Sequence, residues 1–378
     1  MSLSIKPNRI IRTVPDDILN DVLLNECIRK LPSNYNFEIH KSVWTIRKNK
    51  ATKVALQFPE GLLMYSLVIS DILEEFCGVE TLVMGDVTYG ACCIDDFTAC
   101  SLECDFMLHY GHSCLVPVQN TKIRTMYVFV NIGIDLQHFV DMIKQNVDHG
   151  SSLALVSTIQ FASSLQQAAH LMADCFDVLV PQSKPLSPGE ILGCTAPRIA
   201  ARDYIVYLGD GRFHLESMMI ANPTISVLSY DPYSKRLTRE QYNHSEMQQL
   251  RKTAIKKATS ARKIGLILGT LGRQGSTSVL DYLQSQLRQR GISYVVLLLS
   301  EIFPAKLALF TDIDAWIQVA CPRLSIDWGN AFQKPLLTPY EAAILFKAIE
   351  PWKDVYPMDF YSKHSLGPWT PNHSSHKV

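Results

Sequence analysis

Val54-Ala55-Leu56-Gln57-Phe58-Pro59-Glu60-Gly61 is a short, nearly unbroken apolar run closed at once by a turn. An apolar run of that length, without polar alternation, predicts a strand covered on both faces, as in a parallel sheet. A helical segment to Phe76 follows, with Gly78 as its stop, and further strands are predicted at Thr81–Asp86, Phe106–Tyr110 and Met126–Val130. The succession starts again at Leu153-Ala154-Leu155-Val156. There it continues with a helix over Leu165–Met172 and strands at Val178–Val180, Tyr204–Leu208 and Ile225–Leu228. A third start, at Ile264-Gly265-Leu266-Ile267-Leu268, leads to a helix over Val279–Leu287 and strands at Tyr294–Leu299 and Ala315–Val319. Apolar strands alternating with helices, restarting about every 100 residues, predict an α/β protein of three similar domains with mainly parallel sheets.

The boundaries expected from this pattern are an N-terminal helix and lead-in over 1–50, α/β domains over 51–149, 150–258 and 259–362, and a disordered tail over 363–378. Residues 16–31 carry an acidic first turn and 3,4-spaced apolar positions, so one helix ending at Pro32 is predicted. Residues 231–262 are rich in Lys and Arg and are read as a solvated connection with a helix over Gln248–Ala261. The tail has Gly, Pro, Ser and three His without apolar period.

Composition excludes several classes of function. The 378 residues hold 36 Lys and Arg against 36 Asp and Glu, so a broad nucleic-acid-binding surface is not expected. No leader-like apolar region opens the chain and no apolar run reaches membrane-spanning length, so a soluble cytoplasmic protein is expected. The ten cysteines are then thiols or metal ligands rather than a disulfide framework.

Most of them sit where a small buried hydrophobe suffices, as Cys27, Cys77 and Cys175 do in helical patterns. Three differ, because each follows the carboxyl side of a predicted strand, where open parallel sheets bind ligands. Cys92 ends Gly85-Asp86-Val87-Thr88-Tyr89-Gly90-Ala91-Cys92, Cys194 lies in Leu192-Gly193-Cys194-Thr195, and Cys321 comes directly off a strand in Val319-Ala320-Cys321-Pro322. One thiolate from each domain would leave a [4Fe–4S] cluster with one iron lacking a protein ligand. Three buried, uninvolved thiols fit the same spacing. Cys92 is chosen over its neighbour Cys93 because it follows Gly90-Ala91 in the tight turn. A local zinc set from Cys92 or Cys93 with Cys100, Cys104 and Cys114 lacks paired C-x₂-C knuckles. His109 and His112 mark a strand end as corner or pocket residues. Gly269-Thr270-Leu271-Gly272-Arg273-Gln274-Gly275 joins a strand to a helix without a nucleotide-binding fingerprint. No arrangement for nucleophilic hydrolysis is found.

Tyr89-Gly90-Ala91-Cys92, His109-Tyr110-Gly111-His112-Ser113-Cys114, Gly272-Arg273-Gln274-Gly275 and Cys321-Pro322-Arg323-Leu324-Ser325-Ile326-Asp327 closely resemble the diphthamide biosynthesis family, over about residues 10–360. The resemblance implies three α/β domains around a central [4Fe–4S] cluster held by Cys92, Cys194 and Cys321. It implies S-adenosylmethionine as cofactor, cleaved in an unusual radical reaction. The 3-amino-3-carboxypropyl group would pass to a histidine of translation elongation factor 2. No catalytic residue beyond the cluster ligands is implied. The implied partners are a related second subunit in a heterodimer and a small cytosolic electron-donor protein, with no membrane and no direct nucleic-acid contact. The C-x₃-C of Cys100 and Cys104 is followed by Met107, so the usual radical motif is missing. Gln57, Glu60 and Gly61 in the first unit and Arg273, Gln274 and Gly275 in the third are expected to position the cofactor, because both loops lie at strand ends. Asp327 is expected to hold the third cysteine loop. The alternatives are a non-catalytic subunit supporting a sister's cluster and a small-molecule α/β enzyme without one.

Overall fold

A computed structural model describes residues 14–85 and 88–376. The first ten residues, read above for a leader, lie outside the described residues, as do Asp86 and Val87 of the first cysteine loop and the last two residues of the tail.

The strands are β1 (Tyr35–Asn36), β2 (Lys53–Gln57), β3 (Glu80–Met84), β4 (Phe106–Tyr110), β5 (Arg124–Val128), β6 (Asn131–Ile132), β7 (Ser152–Ser157), β8 (Asp177–Leu179), β9 (Tyr204–Leu208), β10 (Ser226–Asp231), β11 (Arg236–Glu240), β12 (Lys263–Gly269), β13 (Ser293–Leu299), β14 (Ala315–Val319) and β15 (Leu336–Leu337). They form three larger sheets, ordered β3-β2-β4-β5, β11-β10-β9-β7-β8 and β13-β12-β14-β15, and a small β1-β6 pair. Each larger sheet has the unit's first strand inside, its second on one side and its third and fourth on the other. All pairings in these sheets are parallel except β10 with β11. The chain reverses its direction of winding beside β2, β7 and β12, which opens a crevice at the carboxyl ends of the strands.

The predicted strands bury as their composition requires. Val54, Ala55 and Leu56 are fully covered, as are Leu153 to Val156 in the second unit and Ile264, Leu266 and Ile267 in the third. Helix Ser66–Cys77 buries Ser66, Ile69, Ile72 and Leu73, the 3,4-spaced face that packs on a sheet. It ends at Gly78, whose φ of +64° is the left-handed cap that glycine takes without a side-chain clash. The apolar cores of the second and third units run together, with Ala154, Val156 and Ile205 in one cluster with Ile264, Leu266 and Ile317.

Three expectations are corrected. The N-terminal helix is two helices, Asp16–Leu19 and Val22–Ile28, because the Asp21 carboxylate accepts from the Leu24 N–H (3.0 Å) and starts a new one. The lead-in to residue 50 also holds the helix Ile39–Asn49. The basic connection is not simply solvated. Asp231 accepts from the backbone N–H of Tyr233 (2.8 Å) and turns β10 into the antiparallel β11, and the helix runs His244–Ala258 with Met247, Arg251 and Ile255 buried. Residues 363–376 are not a loose tail. Trp369 and Thr370 are buried, and Asn372 donates to the Tyr361 carbonyl (2.7 Å), so isolated aromatic anchoring replaces the missing period.

Arg251 has the largest energetic consequence within this scaffold. Its guanidinium donates to both carboxylate oxygens of Glu341 (2.7 Å each) and to the carbonyls of Ser325 (2.6 Å) and Leu336 (2.7 Å). Glu341 is fully buried, closes a capping box with Thr338, and accepts from the Tyr356 hydroxyl (3.0 Å). Removing one partner strands a buried charge, so Arg251→Ala should cost about 3–5 kcal/mol. A chemical-denaturation midpoint indistinguishable from that of the parent chain would refute this.

No helix among the described residues is long and apolar enough to cross a membrane.

Candidate metal centre

Cys92 lies in the tight turn Ala91–Cys93, beyond β3, closed by the Cys93 N–H donating to the Gly90 carbonyl (2.9 Å). Cys194 sits in a narrow loop where Leu192 and Thr195 exchange backbone hydrogen bonds (2.9 and 3.2 Å). Cys321 follows β14 and caps helix Pro322–Trp328, with Pro322 at the first helical position, where no backbone donor is needed. All three cysteines line one cavity of about 600 Å³, with Tyr89, Phe213, His214, Gln274, Trp328 and Tyr361 among the other lining residues.

The three-unit fold therefore brings together thiols that are far apart in sequence. Cys93 does not line this cavity. Its carbonyl accepts from the Gln57 amide (3.0 Å) and its sulfur from the Gln274 amide (3.6 Å). Gly272, at φ +55°, lies so close to the Cys93 backbone that an added Cβ would meet it at 2.4 Å. The local zinc set does not assemble either. Cys100 and Cys114 are exposed, and Cys104 packs in an apolar cluster with Ala55, Met84 and Met107.

Two arginines of the third unit fix the other two cysteine loops. Arg323, two residues after Cys321, is buried and donates to the carbonyls of Gly193 (3.2 Å) and Phe213 (2.7 Å). It pairs with Asp327 (2.9 Å) and Glu216, and its guanidinium lies 4.6 Å from the Phe213 ring centre. Arg273 donates its backbone N–H to the Cys92 carbonyl (2.9 Å), while its side chain grips the Asp96 carboxylate in bidentate fashion (2.8 and 2.6 Å). Such forked pairs carry geometry as well as charge.

Of the six residues expected to position a cofactor, only Gln274 lines the cavity. The Arg273 side chain is committed to Asp96, and Gly275 packs on the end of β12, where a Cβ would meet the Gly269 carbonyl at 2.3 Å. Gln57 is buried under the Cys92–Cys93 turn, with its Oε1 2.8 Å from His109 Nδ1. Glu60 and Gly61 are exposed at the start of a short helix and do not reach the cavity. Pro59 instead starts a short helix whose exposed first residues lie outside the cavity lining. Asp327 pairs with Arg323 on the same helix (2.9 Å), so through that arginine it braces the second cysteine loop and not, as expected, the third. His109 is buried and His112 half-buried, 5.5 Å apart between ring centres, and neither lines the cavity. Arg323, Phe213, His214, Trp328 and Tyr361 have no expected role in the sequence. The only signal was that Arg323 and Trp328 fall in or beside the third cysteine motif.

The donor chemistry tests what this cavity would hold. Among the described residues, no three His, Cys, Asp or Glu side chains converge on a point that could take a single metal ion. The thiols share a cavity instead, which fits a group of several metal atoms, each taking its own thiolate. Hydrogen bonding to Cys93, burial, and the charges of Cys93, Cys194 and Cys321 hold the Cys92 thiol well above the ordinary thiol range. Burial and then Cys321 push Cys194 up, and burial pushes Cys321 up. Three thiolates so placed need a cationic group, which inverts this penalty when bound. Burial, then Arg323, pushes His214 down to about 4, so a neutral imidazole completes the wall.

A family model for diphthamide synthesis proteins matches residues 58–357. The chain belongs to the diphthamide synthesis protein family. A Schizosaccharomyces pombe relative named 2-(3-amino-3-carboxypropyl)histidine synthase subunit 1 is 58% identical over 98% of this chain and 86% of its own. Proteins of the same name from Gallus gallus and Homo sapiens are 60% and 58% identical over 97% of this chain, and 90% and 84% of theirs. Among solved structures, Dph2 from Pyrococcus horikoshii superposes with a TM-score of 0.71 at 25% identity, covering 89% of this chain and 98% of that one. Dph2 solved with a 4Fe-4S cluster gives a TM-score of 0.70 at 24% identity, covering 86% and 97%, and this second likeness bears on the fold. The diphthamide synthesis fold is thus an α/β architecture of mainly parallel sheets, as the repeated apolar strands predicted.

Proposed function

We propose that this chain is the catalytic subunit of a heterodimeric transferase. It would move the 3-amino-3-carboxypropyl group of S-adenosylmethionine to a ring carbon of a histidine in translation elongation factor 2, the first step of diphthamide synthesis. The observation that carries the reading is the meeting of Cys92, Cys194 and Cys321, one from each α/β unit, on one cavity. The names of its close relatives support the transferred group and the histidine acceptor.

In this reading the three cysteines hold a [4Fe–4S] cluster. When bound, a cluster with three protein ligands supplies a low-potential electron and one iron open to the small-molecule substrate. The chain's own residues do the rest. Arg273 and Arg323 keep the cysteine loops in register. Leu192, Ile302 and Leu324 give the cavity an apolar wall that limits water beside a reactive fragment. Gln274 is one of the polar lining residues that would orient the amino-acid end of the small molecule. Over the whole reaction a carbon–sulfur bond breaks, a carbon–carbon bond replaces the imidazole C–H bond, and methylthioadenosine and a proton leave. The net exchange is redox neutral, so the electron serves as a trigger. A related second subunit and a small electron-donor protein complete the system, in a reducing cytoplasm that spares the thiols.

Anaerobic reconstitution tests this reading. About four iron and four sulfide per chain are expected, with methylthioadenosine formed on reduction in the presence of S-adenosylmethionine and the sister subunit. A reconstituted chain without iron would end the cluster reading. Full activity from Cys321→Ala paired with an intact sister would reduce this chain to a supporting subunit.

A further inference from the structure

The cavity has a rim that neither the cysteines nor the small molecule account for. Tyr89 is 70% exposed, Trp328 65% and Phe213 42%, yet all three line the cavity. Single exposed aromatics are ordinary. These three come from three different units. Tyr89 precedes Cys92 in the first, Phe213 opens helix Phe213–Ala221 in the second, and Trp328 ends the helix that Cys321 caps in the third.

The rim is also held in place. The Phe213 ring lies against Gly193, where an added Cβ would meet the ring at 2.1 Å, and Arg323 covers it at 4.6 Å. Trp328 is one residue from Asp327, which Arg323 fixes at 2.9 Å. The pairs that set the cysteine loops therefore also set two of the three rim rings. Large apolar rings kept in water at a cavity mouth, on a fixed frame, mark a surface that is covered in use.

We infer that Tyr89, Phe213 and Trp328 form an aromatic collar that docks the acceptor polypeptide and admits its imidazole ring between flat π faces. The inference rests on the proposed function. Cys194 is only 8% exposed and Cys92 and Cys321 are half-buried, while the rings stand far out, so the cysteines lie deeper in the cavity and the rings at its mouth. A small molecule cleaved at the floor fits inside the cavity. A protein acceptor is too large to enter and meets the collar, offering one side chain inward. Stacking on aromatic faces holds a planar ring without demanding a charge on it.

The test uses the reconstituted heterodimer with full-length elongation factor as acceptor. Two quantities are read, methylthioadenosine formed and labelled fragment transferred, at a series of acceptor concentrations. Trp328→Ala should raise the acceptor KM about tenfold and lower the yield of transferred fragment per methylthioadenosine about as much, as loss of an aromatic anchor does. Trp328→Phe should recover most of both, and Tyr89→Ala should behave as Trp328→Ala. Iron content and denaturation midpoint, measured on each variant, identify any that fail to fold, and the judgement then passes to Tyr89→Ala and Trp328→Phe. An unchanged acceptor KM and yield overturns the collar alone. So does a fall in both products with the yield constant, which would assign the rings to the small molecule. A parent enzyme that loads iron but forms no methylthioadenosine removes the proposed function and the collar with it.

Discussion

Cys194→Ala is expected to abolish the visible absorption of the anaerobically reconstituted chain and to lower product formation at least about a hundredfold. That exceeds the 10–100-fold typical when only an outer partner of a metal ligand is lost. The same outcome is expected for Cys92→Ala and Cys321→Ala, because each unit supplies one thiol to the cavity and no other cysteine lines it. Cys93→Ala provides the contrast. Its sulfur accepts from the Gln274 amide and pairs with the Cys92 thiol without lining the cavity, so the variant should load iron and lose only those weak hydrogen bonds. Without metal, the stability of Cys194→Ala should stay near that of the parent, since burial already keeps that thiol protonated. The decisive result is the pair Cys92 and Cys93. Equal iron loading in both variants would exclude the three-thiol centre as drawn.

Arg323→Met should be the most damaging change at the cavity that touches no cysteine. The side chain is 2% exposed and serves Glu216, Asp327, and the carbonyls of Gly193 and Phe213. Its loss leaves two partly buried carboxylates facing each other and frees the loop that carries Cys194. Breaking such a pair from one side costs about 3–5 kcal/mol. Arg323→Lys should recover little, because a single ammonium cannot span four acceptors that a planar fork reaches together. Two measurements check this, the guanidinium midpoint of the metal-free chain and the rate at which a chelator strips iron from the loaded one. Both should move. A loss below about 1 kcal/mol would show that the pair is solvated in use and contributes as surface pairs do.

The fold was legible because its signal is local. Val54–Phe58, Leu153–Val156 and Ile264–Leu268 announce buried parallel strands through composition alone, and the observed β2, β7 and β12 lie there. What sequence could not display was anything decided across units. Arg251 reads as one cation in a basic run, and its partner Glu341 is 90 residues away. Asp21 reads as part of an acidic helix start until its carboxylate is seen capping the next helix. Residues after Ser362 lack period because they are held by single anchors such as Trp369, which no periodicity can reveal. The strand-end rule located the cysteine loops correctly, yet it overreached at Glu60 and Gly61. The rule marks an end of a sheet and leaves open which way the following turn aims. Arg323 stands inside the third cysteine motif, yet a cation beside a cysteine has no distinctive spacing.

The wall formed by Tyr361 bears on the timing of manufacture. Phe360 and Tyr361 pack with Ala91, Leu115 and Cys194, and the Phe360 N–H donates to the Cys194 carbonyl (3.2 Å). Every strand of the fold has left the ribosome before these residues emerge. A nascent chain can therefore complete all three sheets and still present its thiols in an unfinished chamber. On the proposed function, a cluster would be fully enclosed only once this last strap has been made. Chains cut short before that point would keep all three cysteines and most of their core, yet lack the side of the chamber that shields them.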